Sequence, residues 1–483
     1  MPQSLSARWG LVSLAGIAGL VLLAAVITLL PATTALLVVG GVLAGLALLR
    51  YPELAIYLLC IAIPFGSLVP LPLAGANVTA ADGLLLLALV LWIARQIGRR
   101  EIVLRRASLV IPLFIFLLAA GVSVTGALSL QASVKELVKW IELLVVYWLI
   151  AQDSDRFSLE RLLAAIFLAG LAEAAVGIYQ SIYQAGPEGF LLFGGSSLRA
   201  FGTFDQPNPF AGYLGLIIPL AFGTVLGIVF NWMPARGPRE PAATGTGRLV
   251  LLGLALAALG AMLAALFFSL SRGAWLGVGA ALVLTTIIRS KRAALFALAL
   301  AGLVAFLALL GQANVIPDVV TARFAGVSDY FGIFDVRGYP VDDANYAIVE
   351  RMAHWQAAWY MFEDHPWFGV GFGNYAAVYP AYSLPHWDDP LGHAHNYYLN
   401  VTAESGLVGL AGYLILWAAI FWMAWRAVRT THGFAQGVAA GVFGVLVALS
   451  VHNLFDDLFV HSMQIQVGIA LGVLEITKRT SKT

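Results

Sequence analysis

The residues best equipped for chemistry lie between His393 and Gly409, in the run His393-Ala-His395-Asn396-Tyr397-Tyr398-Leu-Asn-Val-Thr-Ala-Glu404-Ser-Gly406-Leu-Val-Gly409. An imidazole, His395, and an amide, Asn396, stand where a long polar stretch meets a hydrophobic one. A carboxylate, Glu404, is carried further into the apolar segment, where polar groups are costly and need a reason. With a reference pKa of about 6.5, a neutral imidazole can take a proton from a hydroxyl near neutral pH. Asn396 also suits the N-cap of a helix that begins under the interfacial pair Tyr397 and Tyr398. Two arginines extend the set: Arg199 in Leu198-Arg-Ala-Phe-Gly-Thr-Phe-Asp-Gln-Pro-Asn-Pro209, and Arg272 in Ser269-Leu-Ser-Arg-Gly-Ala-Trp-Leu276. Guanidinium groups bind phosphate oxygens bidentately, so a pair of them at a bilayer surface suits a lipid pyrophosphate headgroup. Taken singly, each arginine also fits a side chain that snorkels to the interface. The expected site is therefore catalytic His395, with Arg199, Arg272, Asn396 and Glu404 binding substrate.

Positioning these groups falls to hydrophobic helices. With 60% hydrophobic and 11% charged residues and a mean hydropathy of +0.87, the chain reads as an all-α polytopic membrane protein. At about 20 apolar residues per span, the apolar runs place fourteen helices, near 11–30, 34–50, 54–70, 80–97, 108–127, 134–151, 161–183, 209–230, 249–270, 273–289, 293–310, 397–425, 433–454 and 460–477. The first is too long for the apolar core of a signal peptide. Alternating the spans puts all but seven of the 27 basic residues on one side, which the positive-inside rule makes cytoplasmic, with both termini. The exceptions are Lys135, Lys139, Arg199, Arg272, Arg323, Arg337 and Arg351, all on the outer half. Three regions follow: a transmembrane bundle over 1–310, an extracytoplasmic loop over 311–396, and transmembrane helices over 397–483. A net charge of +1 gives no basis for a nucleic-acid partner, and the single cysteine, Cys60, excludes an internal disulfide.

Within the outer loop, Ile348, Met352, Trp355, Trp359 and Phe362 recur at helical spacing, which predicts an amphipathic helix lying on the membrane surface or packed within the loop. The glycines of His365-Pro-Trp-Phe-Gly369-Val-Gly371-Phe-Gly373-Asn-Tyr375 are expected to permit a tight backbone path beside a substrate. Lys135, Glu136, Lys139 and Glu142 form a ladder suited to an internal ion-pair network. His393 and His395, with Asp388 and Asp389 upstream, match no strong metal signature, so neither metal nor cofactor is expected. Glu404 lies about 13 Å along a straight helix from the start of the motif. It cannot orient His395 and is expected to pair with a neighbouring arginine or lysine, or to sit in a polar cavity. His452, Asn453, Asp456, Asp457 and His461 cluster at the turn between the last two spans, where helix capping or a border to the acceptor path would suit them. Asp82 favours a helix N-terminus by charge–dipole attraction.

These motifs resemble the O-antigen ligase and O-antigen polymerase superfamily of bacterial envelope glycosyltransferases. The ligase mark, His then Asn/Ser/Gln, nine residues, Gly, two residues and Gly/Thr/Tyr, is met by His395-Asn396, Gly406 and Gly409. A second, Arg with Leu four residues later, is met by Arg272 and Leu276. The Arg199 loop and the Asp364-His-Pro-Trp-Phe-Gly run also resemble the superfamily. The resemblance implies a GT-C-like fold of about 12–14 transmembrane helices, with a large extracytoplasmic loop containing amphipathic helices. It further implies en bloc transfer of a glycan from undecaprenyl pyrophosphate to a glycan, lipid A-core or protein hydroxyl. Transfer would occur on the outer face of the bacterial inner membrane, with His395 as base and Arg199 and Arg272 on the pyrophosphate. A polymerase or a protein O-oligosaccharyltransferase shares that donor chemistry. A polysaccharide or glycolipid transporter is the alternative of another class, against which stands the absence of a clear internal repeat.

Overall fold

The computed structural model describes residues 31–68, 71–73, 76–100, 102–192, 195–232, 245–289, 295, 302, 335–341 and 345–480. In lipid every backbone N–H and C=O must find a partner inside the protein, so long apolar runs coil into helices. Helices α1 (Ala32–Arg50), α2 (Leu54–Phe65), α3 (Ala80–Arg99), α4 (Val110–Ser123), α5 (Leu130–Gln152) and α6 (Leu159–Tyr183) come first. They are followed by α7 (Pro207–Gly215), α8 (Ile218–Trp232), α9 (Gly245–Phe268) and α10 (Arg272–Arg289). After the polar segment with α11 (Tyr346–Asp364) and α12 (Tyr375–Val378) come α13 (Tyr397–Thr430), α14 (Gly433–His452) and α15 (Met463–Thr480). The described β-structure is two short antiparallel hairpins, Leu71–Leu73 with Ala76–Val78 and Leu191–Leu192 with Ser197–Leu198.

Among the described residues, eight helices are long and apolar enough to cross a membrane, which makes this an all-α polytopic membrane protein. Leu36, Leu86, Ile111, Leu254 and Trp422 are each more than 60% exposed, an apolar surface suited to lipid rather than water. The expected spans resolve unevenly. Those at 54–70 and 108–127 are shorter apolar helices, and 209–230 divides into α7 and α8. Helices α5 and α15 run through the bundle but carry several charges. The expected span 11–30 and nearly all of 293–310 lie outside the described residues.

The bundle closes on α14. Lipid gives helices little hydrophobic reason to associate, so close backbone approach between small residues must supply attraction. Gly223 and Gly227 of α8 face Gly437 and Gly441 of α14 so closely that a Cβ on Gly223 would lie 2.4 Å from the Gly441 Cα. Across α14, Gly273 and Gly277 of α10 abut His452 and Ala448.

Helix α11 meets two cores. Ile348, Val349, Met352 and Ala353 pack with Val336, Leu384 and Trp387, while Ala357, Ala358 and Met361 pack with Val370, Tyr375, Tyr379, Ala394 and Ala403. The expected stripe holds for Ile348 and Met352 but not for Trp359, which is 47% exposed. In its second half the helix turns small alanines inward, which lets it approach α13.

Helix α13 breaks at Gly406, whose backbone is non-helical at φ 60° and ψ −162°. Residues 366–371 fill the break: the amides of Val370 and Gly371 donate to the carbonyls of Ala403 and Glu404, and those of Leu407 and Val408 donate to Pro366 and Trp367. The backbone groups freed by the kink are thereby satisfied. A Cβ on Gly406 would lie 2.3 Å from the Trp367 carbonyl carbon, and one on Gly369 2.3 Å from that of Glu404. The glycine run therefore traces the tight backbone path that the sequence suggested, lying against protein backbone at α13 and, through Gly371 and Gly373, at Ala127 and Ala132.

Candidate active site

Asn396 caps α13, its side chain accepting from the Leu399 amide at 3.1 Å, which is the capping role its position allowed. That cap places His395 one residue before the helix, in a left-handed backbone conformation at φ 50°. The Trp355 indole of α11 donates to the His395 carbonyl at 3.3 Å, and the Tyr397 amide donates to Asn453 O at 2.8 Å. The start of α13 is thus tied to α11 and to the turn after α14.

That turn carries Asp456. One of its carboxylate oxygens lies 3.6 Å from His395 Nδ1 and 3.7 Å from His393 Nε2. Both separations exceed hydrogen-bond length, so the attraction is electrostatic in this state and can tighten with substrate present. Both ring nitrogens of His395 are buried without a hydrogen-bond partner. Burial pushes its imidazole below the ordinary value; Asp456 pulls the other way, while His393 and Arg351 add to the lowering. Burial alone would raise Asp456, but His395, His393 and Arg351 outweigh it and hold the carboxyl well below the usual range. The pair therefore rests as neutral imidazole and carboxylate.

A third imidazole, His354 of α11, lies edge-to-face with His395 at 5.7 Å and stacks on Tyr379 at 4.7 Å. Its Nδ1 is 2.9 Å from the Tyr375 hydroxyl, which donates to the His354 carbonyl. Burial pushes it down to about 3, and a proton on His395 or His393 would lower it further, so it stays neutral.

His393, His395 and Asp456 bring three potential metal ligands within 4.8 Å. The sequence paired the histidines with Asp388 and Asp389; the fold supplies Asp456 instead. The His395 amide donates to His393 Nδ1 at 3.1 Å, which puts the ring proton on Nε2, the atom that faces Asp456. A ligating histidine needs the opposite arrangement, with its second nitrogen donating outward. The His393 tautomer therefore fits an electrostatic cluster around Asp456 better than ligation of a metal.

The arginines are joined through their loops. Arg199 donates from Nε to Ser269 O at 2.9 Å and from Nη2 to Asn208 at 2.8 Å, and the Ala200 amide donates to Phe268 O. The Arg199 loop is thus bonded to the turn that ends in Arg272. Helix α6 holds this loop from behind: buried Glu173 accepts from the Thr203 amide and hydroxyl, and Gln180 bonds Gly202 through both its amide N–H and its oxygen. Next to Arg272, a Cβ on Gly273 would lie 2.7 Å from the His452 ring. The Arg199 loop is thus bonded to the turn before Arg272, and Gly273 after it abuts His452, four residues before Asp456.

Glu404 has a different role. Only 3% exposed, it accepts from the Tyr375 amide at 3.0 Å, so its carboxylate meets a backbone donor where an arginine or lysine was expected. In the α5 ladder Lys139 pairs with Glu136 at 2.6 Å, while Glu142 accepts from Gln464. Asp82 completes a reciprocal capping box with Thr79. His354 escaped sequence reasoning because it shares a helix with a plainer apolar stripe; Arg351, three residues earlier, stood out only as a basic residue that breaks the positive-inside pattern.

Residues 255–414 match the family model described as O-antigen ligase, a span that includes Arg272, the kinked segment and the His395 motif. The match supports the O-antigen ligase and polymerase superfamily, and with it a ligase- or polymerase-type function. No curated protein matches the chain.

Proposed function

We propose that this chain, whose residues 255–414 match the O-antigen ligase family model, is an inverting glycosyltransferase of the O-antigen ligase and polymerase type. It would move a glycan en bloc from undecaprenyl pyrophosphate to an acceptor hydroxyl at the outer face of the inner membrane, with both termini cytoplasmic. The observation that carries the reading is His395: an imidazole whose two ring nitrogens are buried and unpartnered, facing a carboxylate at 3.6 Å. Asp456 orients the ring through Nδ1 and stabilises the imidazolium once Nε2 has taken the acceptor's proton, the division of labour of a base and its orienting acid. The activated oxygen attacks the anomeric carbon, whose bond to the pyrophosphate oxygen breaks on the opposite face. Arg199 and Arg272 hold the pyrophosphate and neutralise the charge that develops on it. The electrostatic load falls on the arginines, so the reaction needs no metal. Asn396 and Glu404 serve by fixing the helix start and the kink.

The test incubates purified protein, with EDTA, with a defined undecaprenyl-pyrophosphate glycan and, separately, lipid A-core, a second lipid-linked unit and a serine-rich protein. Transfer to one acceptor, abolished in His395→Ala with donor binding retained, is the expected result and names the branch. A product that retains the donor's anomeric configuration by NMR, or transfer that stops with EDTA, would overturn the mechanism. Movement of the lipid-linked glycan across liposomes without transfer would identify a transporter.

A further inference from the structure

Of the cations that the positive-inside pattern leaves on the outer half, Arg351 has no role in the mechanism above. It projects from α11 towards the same turn that carries Asp456. Its Nε donates to the Phe455 carbonyl at 3.3 Å and its Nη1 to the Ala347 carbonyl at 2.8 Å, one turn back on its own helix. A guanidinium directed at two carbonyls is held in place by a planar, rigid fork, which a lysine's single ammonium cannot reproduce. The residue it holds immediately precedes Asp456. Its charge faces Asp456, His395 and His354, and His452 at the end of α14.

We propose that Arg351 is a positioning residue of the site: it ties α11 to the turn that carries Asp456 and sets the charge that surrounds His395. Its place follows from two needs that the cluster creates. The turn after α14 must stay in register with the start of α13, or the gap between Asp456 and His395 changes. The imidazoles that face this cation, His354, His395 and His452, must not gather protons at the carboxylate's expense. A fixed cation serves both, because it bonds the turn and repels a proton arriving on any of the rings. On the other side the charged groups are Asp456, facing both His393 and His395, Glu350, the neighbour of Arg351 on α11, Asp389, facing His354, and Glu136 of α5, facing His393. Arg351 also links the segment to the bundle, since it reaches from α11 to the turn after α14.

The inference rests on His395 as the base, but its test does not require turnover. Neutral imidazoles react with diethylpyrocarbonate, so the acylation of His395 against pH, followed by tandem mass spectrometry of intact purified protein, reports the ring's protonation directly. In Arg351→Met the acylation midpoint is expected to move to higher pH by about one unit, because the removed cation no longer opposes the ring's proton. In Arg351→Lys the charge remains and the midpoint stays at the wild-type value, while transfer falls about tenfold through the lost bond to Phe455. A midpoint unchanged in Arg351→Met, or moved equally in Arg351→Lys, would overturn the proposal. Should Arg351→Met fail to purify as a single species, Arg351→Gln replaces it under the same criteria. Absence of transfer in the wild-type protein would sink the proposed function alone, since the acylation midpoints would still decide the role of Arg351.

Discussion

His395 occupies a backbone conformation that a side chain bearing a Cβ rarely adopts, at a cost on the order of 1 kcal/mol that the surrounding bonds must offset. The indole of Trp355 and the cap made by Asn396 supply that restraint from either side. The residue that matters most to its chemistry is Asp456, 61 positions later in the chain, and replacing it with Asn tests the pairing. Transfer is expected to fall about a hundredfold or more, because the amide removes the charge that stabilises the imidazolium. The pH profile adds a sign. In the proposed mechanism His395 acts as the neutral ring, and burial places its pKa below the ordinary value, so activity is expected to persist as pH falls past about 6.5 and to be lost only at lower pH. Asp456 opposes that lowering, so in Asp456→Asn the acid limb should move lower still. An acid limb at or above the ordinary imidazole value would contradict the assignment of His395 as a buried base.

At the scale of elements, the ligase-type motif encodes a broken helix. Its glycine at 406 is required by a backbone angle of φ 60° and by the loop 366–371 lying against it, and Gly369 is its counterpart on that loop. Glu404, two residues before the break, is committed to the Tyr375 amide and anchors the same loop. The spacing between His395 and Gly406 thus links a chemical residue to a structural one. Gly406→Val should lower the unfolding midpoint and abolish transfer, at a cost of about 1–3 kcal/mol from the strained angle and the clash with Trp367. Donor binding should survive, because Arg199 and Arg272 sit on other elements. Loss of donor binding to the same degree as transfer would show that the break supports the whole molecule rather than the base.

Across the whole molecule, α14 is the helix on which the site depends. Its glycine face meets α8, its far face meets the start of α10 beside Arg272, and its C-terminal turn presents Asp456. A leucine at Gly441 would push α8 and α14 apart, since a Cβ there already comes within 2.9 Å of the Leu220 Cα. Thermal stability is expected to drop by about 1–3 kcal/mol. Transfer should fall further than stability, because the turn carrying Asp456 moves with the helix. Equal losses in Gly441→Leu and in a lipid-facing substitution such as Leu254→Ala, whose side chain is 64% exposed, would count against this coupling.

What the amino-acid order determined by itself was local or compositional. Membrane residence followed from the apolar runs, the helix start at Asn396 from a short-range cap, and the family resemblance from motifs whose residues lie close together along the chain. The same logic singled out His395, Arg199 and Arg272, because polar groups beside apolar runs stand out in one dimension. The partners of those residues were decided only in three dimensions. Asp456 reaches His395 because α14 packs between α8 and α10, and Arg199 reaches the Arg272 turn because α6 holds its loop from behind. The kink at Gly406 exists because another loop's backbone fills it. A periodic pattern reports which face of a helix is apolar; it carries no record of which distant helix that face will meet, and in a bundle of similar apolar helices that choice rests on the fit of glycine to glycine.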